Sequence, residues 1–85
     1  MRYTIRWTEQ AENDLMLWWV SAADRKAINR AEELSNRYLA DNPFVSGVEL
    51  LEGLFVLDIH PLRFYFEVDP IEQIVVVTSV ASFAH

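Results

Sequence analysis

Two stretches of alternating hydrophobicity, LFVLDI at 54–59 and LRFYFEV at 62–68, are separated only by His60 and Pro61. Successive side chains on a strand point to opposite faces. A period of two therefore assigns Leu62, Phe64, Phe66 and Val68 to one face, and Arg63, Tyr65 and Glu67 to the other. With His60 and Pro61 as the central residues of a hairpin turn, Ile59 stands opposite Leu62, Leu57 opposite Phe64, and Phe55 opposite Phe66. A slip of one residue would turn this whole apolar set away from the core, so the register is strongly specified. The same register places Asp58 opposite Arg63, Val56 opposite Tyr65 and Leu54 opposite Glu67, and it predicts an Asp58–Arg63 cross-strand ion pair. Proline at the second turn position calls for a cis His60–Pro61 bond; a longer loop around 59–62 would keep a similar pairing without one.

Such a hairpin needs a cover on its apolar face. RYTIRWT, near the start, alternates Tyr3, Ile5 and Trp7 against Arg2, Thr4 and Arg6, and reads as a first strand with Tyr3, Ile5 and Trp7 in the core. Thr8, followed by Glu9, has the pattern of an N-cap with an acidic first turn. The spacing then predicts a helix over 9–20, with Ala11, Leu15 and Trp18 on one stripe. Leu17, Trp19 and Val20 extend its apolar girth, so it is expected to be largely covered. SAAD at 21–24 resembles a capping box, predicting a second helix over 22–41 with Ile28, Ala31, Leu34 and Tyr38 inward. Pro43 ends it. Both glycines, Gly47 and Gly53, fall within 42–53, which reads as a loop, and QIVVVTSVA at 73–81 reads as a last strand. The order β-α-α-β-β-β predicts an α+β fold, a helical hairpin packed on one face of a small antiparallel sheet.

The chain has 85 residues, so a single domain over 1–85 is expected. A chain of that size buries only about 60–65% of its unfolded surface, and a hydrophobic content of 52% with three tryptophans suits an efficient core. With no cysteine, disulfides, thiolate metal sites and cysteine nucleophiles are excluded. His60 and His85 are far apart and form no metal spacing, and no glycine-rich phosphate loop is present, so no cofactor is expected. Carboxylate pairs such as Glu9–Glu12 and Glu32–Glu33 read as helix surface, and Trp18–Trp19 reads as core. No signal segment is visible, and the longest apolar run, LMLWWV, is too short to span a bilayer. A soluble, cytoplasmic protein with no membrane role is expected. A net charge of −6 argues against a generic nucleic-acid binder and favours a basic contact surface on any partner.

Taken in order, W-T-x-x-A-x-x-D-L at 7–15, N-P-x-x-x-G-x-x-L-x-x-G at 42–53, L-R-x-Y within HPLRFYFEV, and a final IVVVTSV resemble the RelE/ParE superfamily of type II toxins, also labelled plasmid stabilisation proteins. The resemblance implies a small α+β toxin neutralised by a cognate antitoxin that wraps it. Some members cleave mRNA on the ribosome, while others inhibit DNA gyrase without being nucleases. In nuclease members the sheet face away from the helices is active, and a strand arginine meets the scissile phosphate; Arg63 matches it. By the same resemblance Tyr65 would position a base and His85 would serve as general acid, with Arg2 and Arg6 as further nucleic-acid or target contacts.

Nuclease members also carry Lys or Arg on the preceding strand, where this chain has Val56 and Asp58, and a basic residue with a tyrosine after the last strand, where this chain reads ASFAH. RNA cleavage needs stabilisation of a phosphorane and a proton donor for the leaving oxygen. One arginine opposite an aspartate supplies little of either. The reading is therefore a toxin that works by binding an antitoxin and a cellular target, with little or no ribonuclease activity. An active ribosome-dependent ribonuclease and a non-toxic interaction module of the same fold are the alternatives, and a homodimer stays open.

Overall fold

The structure is a computed structural model and describes residues 2–82. Five strands and three helices follow in the order β1 (Thr4–Trp7), α1 (Glu9–Ser21), α2 (Arg25–Asp41), α3 (Pro43–Ser46), β2 (Val48–Leu51), β3 (Leu54–Ile59), β4 (Leu62–Asp69) and β5 (Ile74–Ser82). The sheet order is β1-β5-β4-β3-β2. Three neighbouring pairs are antiparallel, and β1 runs parallel to β5. The α1–α2 hairpin packs on one face. This is the expected α+β architecture, with a larger sheet and one parallel pairing. No helix among the described residues is long and apolar enough to cross a membrane.

The β3–β4 register is the one the alternation demands: Ile59 faces Leu62, Leu57 faces Phe64, Phe55 faces Phe66, Val56 faces Tyr65 and Asp58 faces Arg63. The His60–Pro61 bond is cis. Phe64, Phe66, Leu62 and Leu57 join Ile28, Ala31, Leu39, Val75, Val77 and Val80 in one core, with Tyr3, Ile5, Trp7 and Phe55 packed against it. Val56 is buried on the opposite face, outside that core.

Several boundaries move. Ser21 closes α1 and does not cap α2; the cap is Asp24, whose carboxylate accepts from Ala27 N at 3.2 Å. The inward stripe of α2 is Ile28, Ala31, Ser35 and Leu39, drifting off Tyr38, which is 43% exposed. Nor is α1 largely covered: Met16, Leu17, Trp19 and Val20 are all exposed, and Trp19 lies outside the core. The segment expected to be a loop contains α3 and β2. Asn42 caps α3 through its side chain, Pro43 sits in the first turn, and β2 pairs with β3 across a bulge between Glu49 and Leu51. Gly47 has no room for a side chain, because a Cβ there would stand 2.4 Å from Cζ of the buried Phe66 ring. Gly53 turns the β2–β3 connection with a φ of 83°.

A second bulge lies in β5. Tyr65 pairs with Ser79 but Phe66 pairs with Val77, so Thr78 is the extra residue, and its hydroxyl donates to Tyr65 O at 3.3 Å. The bulge shifts the inward phase from Val75 and Val77 to Val80. At the same level β1 has ended, which leaves the outer edge of β5 without a strand. Side chains from the start of α1 replace it. Thr8 Oγ1 donates to Thr78 O at 3.1 Å while accepting from Ala11 N at 3.1 Å as the α1 cap. Asp14 Oδ2 accepts from Val80 N at 3.1 Å, and Trp18 Nε1 donates to Val80 O at 2.9 Å. Buried backbone groups require partners, and α1 supplies them where the sheet does not.

Candidate functional site

The face of the sheet turned away from the hairpin carries Arg63 and Tyr65 on β4, Asp58 and Val56 on β3, and Arg6 on β1. Strand alternation puts Arg63 and Tyr65 on this face for the same reason that it puts Phe64 and Phe66 in the core. The predicted ion pair forms. Arg63 Nε donates to Asp58 Oδ1 at 2.6 Å and Nη2 donates to Oδ2 at 2.8 Å, a bidentate fork on one carboxylate. Its side chains are 33% and 28% exposed, so the pair lies partly sheltered in the strand surface. The Asp58 hydrogen bonds, followed by a hydrogen bond with the Tyr65 side chain, hold the Arg63 proton more tightly than usual, and the guanidinium stays cationic throughout the working pH range. The Arg63–Tyr65 contact was not foreseen, although their spacing of two on one strand is the signal for it.

The remaining candidates do not converge on Arg63. Arg6 is exposed and pairs in register with Val76, which itself faces Glu67. That level is two strands across and four residues along from Arg63, about 16 Å by ordinary strand spacing and rise. Arg2 precedes β1, is exposed, and lies 3.7 Å from Asp41 at the end of α2. His85 falls outside the described residues. Of the seven cationic side chains, Arg25, Lys26, Arg30 and Arg37 belong to α2, which leaves Arg6 and Arg63 as the two on strands. At Arg63 this face offers an anion a guanidinium whose Nε and Nη2 already hold a carboxylate, with a phenol beside it.

Comparison with known proteins finds no family model and no curated relative that matches in sequence. Solved structures match closely in shape. The toxin–antitoxin complex RelBE2 from Mycobacterium tuberculosis contains a chain similar at a TM-score of 0.82, with 22% identity over 96% of this chain and 99% of that one. A YoeB/ParE toxin from Agrobacterium tumefaciens is similar at 0.70, with 19% identity over 96% and 99%. A chain of the intact Escherichia coli RelBE complex is similar at 0.66, with 14% identity over 98% and 99%. The motifs at 7–15, 42–53 and 62–65 thus lie on the scaffold that their resemblance implied, and this chain has the fold of the RelE/ParE toxins.

Proposed function

We propose that the chain is the toxin of a type II toxin–antitoxin pair, acting in the cytoplasm by binding a cognate antitoxin and a cellular target, with little or no ribonuclease activity. The fold supports the first part: similar chains come from toxin–antitoxin complexes of both RelBE and ParDE kinds. The bidentate seat of Arg63 on Asp58 carries the second. A scissile phosphate approaching Arg63 must compete with a carboxylate that already takes its Nε and Nη2 donors, and among the described residues no second strand cation stands close enough to share the developing charge. Losing one preorganised charge stabiliser typically costs about 3–4 kcal/mol of transition-state energy, and here more than one is missing. Target binding has no such requirement.

The test is induced expression in a bacterial host with growth, mRNA ends and DNA supercoiling all followed. Growth arrest relieved by the antitoxin, with intact mRNA by primer extension, is the expected result. Cleavage at ribosome-positioned sites that disappears in Arg63→Ala would restore the nuclease reading, with Arg63 and Tyr65 acting together and His85 as proton donor. Absence of any growth effect would leave the non-toxic interaction module.

A further inference from the structure

β2 ends the sheet, and its outer side faces no other described strand. Its apolar side chains stand in solvent: Val48, Leu50 and Leu51 are each more than half exposed, and Val45 of the adjoining α3 is 78% exposed. Edge strands are commonly protected by a lysine or a proline on the strand, by shortness or by a bulge. β2 is short and bulged, but its sequence VELL has neither lysine nor proline. Its one charge is turned back on its own turn, where Glu49 Oε2 accepts from Gly53 N at 3.2 Å.

We infer that this edge pairs with the same edge of a second copy of the chain, antiparallel about a two-fold axis, so that two five-stranded sheets join into one of ten strands. The register follows from the faces. Val48 pairs with Val56 and Leu51 with Leu54. Both β3 residues point away from the helices, because Phe55 between them packs against the core. The bulge at Leu50 therefore brings Val48 and Leu51, three positions apart, to one face. An axis between Glu49 and Leu50 sets Val48 opposite the second copy's Leu51, and Leu51 opposite its Val48, apolar against apolar on a shared face. An axis through Glu49 would instead set two carboxylates against each other. An axis through Leu50 would set Val48 against Glu52 and Leu51 against Glu49. One register is thus favoured, and in it the segment complements itself, which is what a two-fold interface requires. A four-residue strand pair flanked by α3 falls under about 1,200 Å² in total, the low end of specific interfaces, so the dimer is weak and forms as concentration rises. Each copy carries a net charge of −6, so screening by salt strengthens the association.

The test is sedimentation of the purified full chain across micromolar to millimolar concentrations. The mean mass should rise from one chain toward two, and rise further at high salt than at low. Leu51→Lys, at an exposed position that does not threaten folding, should abolish the rise. Met16→Lys, at an equally exposed apolar position on α1, should leave it unchanged. The register has its own readout, because the chain has no cysteine. In the favoured register the two copies of residue 48 lie about 10 Å apart along the strands, too far for a disulfide, as do the two copies of residue 51. Val48→Cys and Leu51→Cys chains, mixed under oxidation, should therefore cross-link to each other and not to themselves. A single-chain mass at every concentration would overturn the proposal and leave the edge to a foreign strand. Association that survives Leu51→Lys, that weakens with salt, or that cross-links each variant to itself would overturn it as well. None of these results depends on toxicity, so a failure here is distinguishable from a failure of the toxin reading.

Discussion

The two edges of the sheet are finished in opposite ways. On the β1 side, β5 outruns its short neighbour, and Thr8, Asp14 and Trp18 reach across from α1 to satisfy Thr78 and Val80. On the far side β2 is exposed along its whole length, with Val48 at 68%, Leu50 at 52% and Leu51 at 65% exposure. The first edge is closed by polar side chains at fixed helical positions. The second carries an outer strand edge and apolar side chains that no other described element covers, the condition under which a sheet edge recruits another strand. A helix placed beside a strand can therefore substitute for a missing strand, provided that its inward polar groups match the strand's donors and acceptors one for one.

The comparison breaks most readily at Trp18. Trp18→Ala removes both a ring packed against the core and the donor to Val80 O, and should destabilise the fold by about 2–4 kcal/mol in urea melts. Trp18→Phe keeps most of the packing but also lacks the donor, so its loss relative to the unaltered chain reports the hydrogen bond, and the difference between the two variants reports the packing. Asp14→Ala should cost about 1–3 kcal/mol, because it strands the Val80 amide beside a side chain only 4% exposed, whereas Asp14→Asn retains an acceptor and should cost less. Gly47→Ala, at the start of the open edge, should cost about 1–3 kcal/mol by driving a methyl into Phe66; a small effect there would mean that α3 and β2 shift freely over the core. Leu51→Lys should change stability by less than about 0.5 kcal/mol while lowering self-association measured by light scattering, since it touches only the exposed edge. A large stability loss in Leu51→Lys would show that the edge is less free than its exposure indicates.

What could be read from the amino acids follows the strength of each local constraint. The β3–β4 pairing was legible because five facing pairs agree on one register, and with them the Asp58–Arg63 contact. The segment VELL gave no such signal. It is four residues long, it does not alternate, and an edge strand pairs through backbone that carries no sequence mark. The bulge at Thr78 was hidden for a related reason: IVVVTSV is apolar on both faces, so its phase cannot be seen to change. The candidate site divides along the same line. Arg63 and Tyr65 share a face by parity alone. The distance of Arg6 from them depends on strand order, which is set by the parallel β1–β5 pairing, a long-range choice that no local pattern encodes.

That pairing also sets the order in which the molecule can be completed. The contacts closing the β1 edge join Thr8 to Thr78, Asp14 to Val80 and Trp18 to Val80, at separations of 70, 66 and 62 residues. Contacts so distant along the chain form late, because the intervening loop must be closed before they return any energy. During synthesis, β1 and α1 emerge first and wait for β5 with their polar groups unmatched and much of the core unfilled. The β3–β4 hairpin, with its Arg63–Asp58 pair, can assemble from neighbours in sequence, but the scaffold behind it stays open until residue 82 has left the ribosome. The nascent sheet therefore stays unfinished until β5 is free to pair, and the finished surface appears all at once when it does.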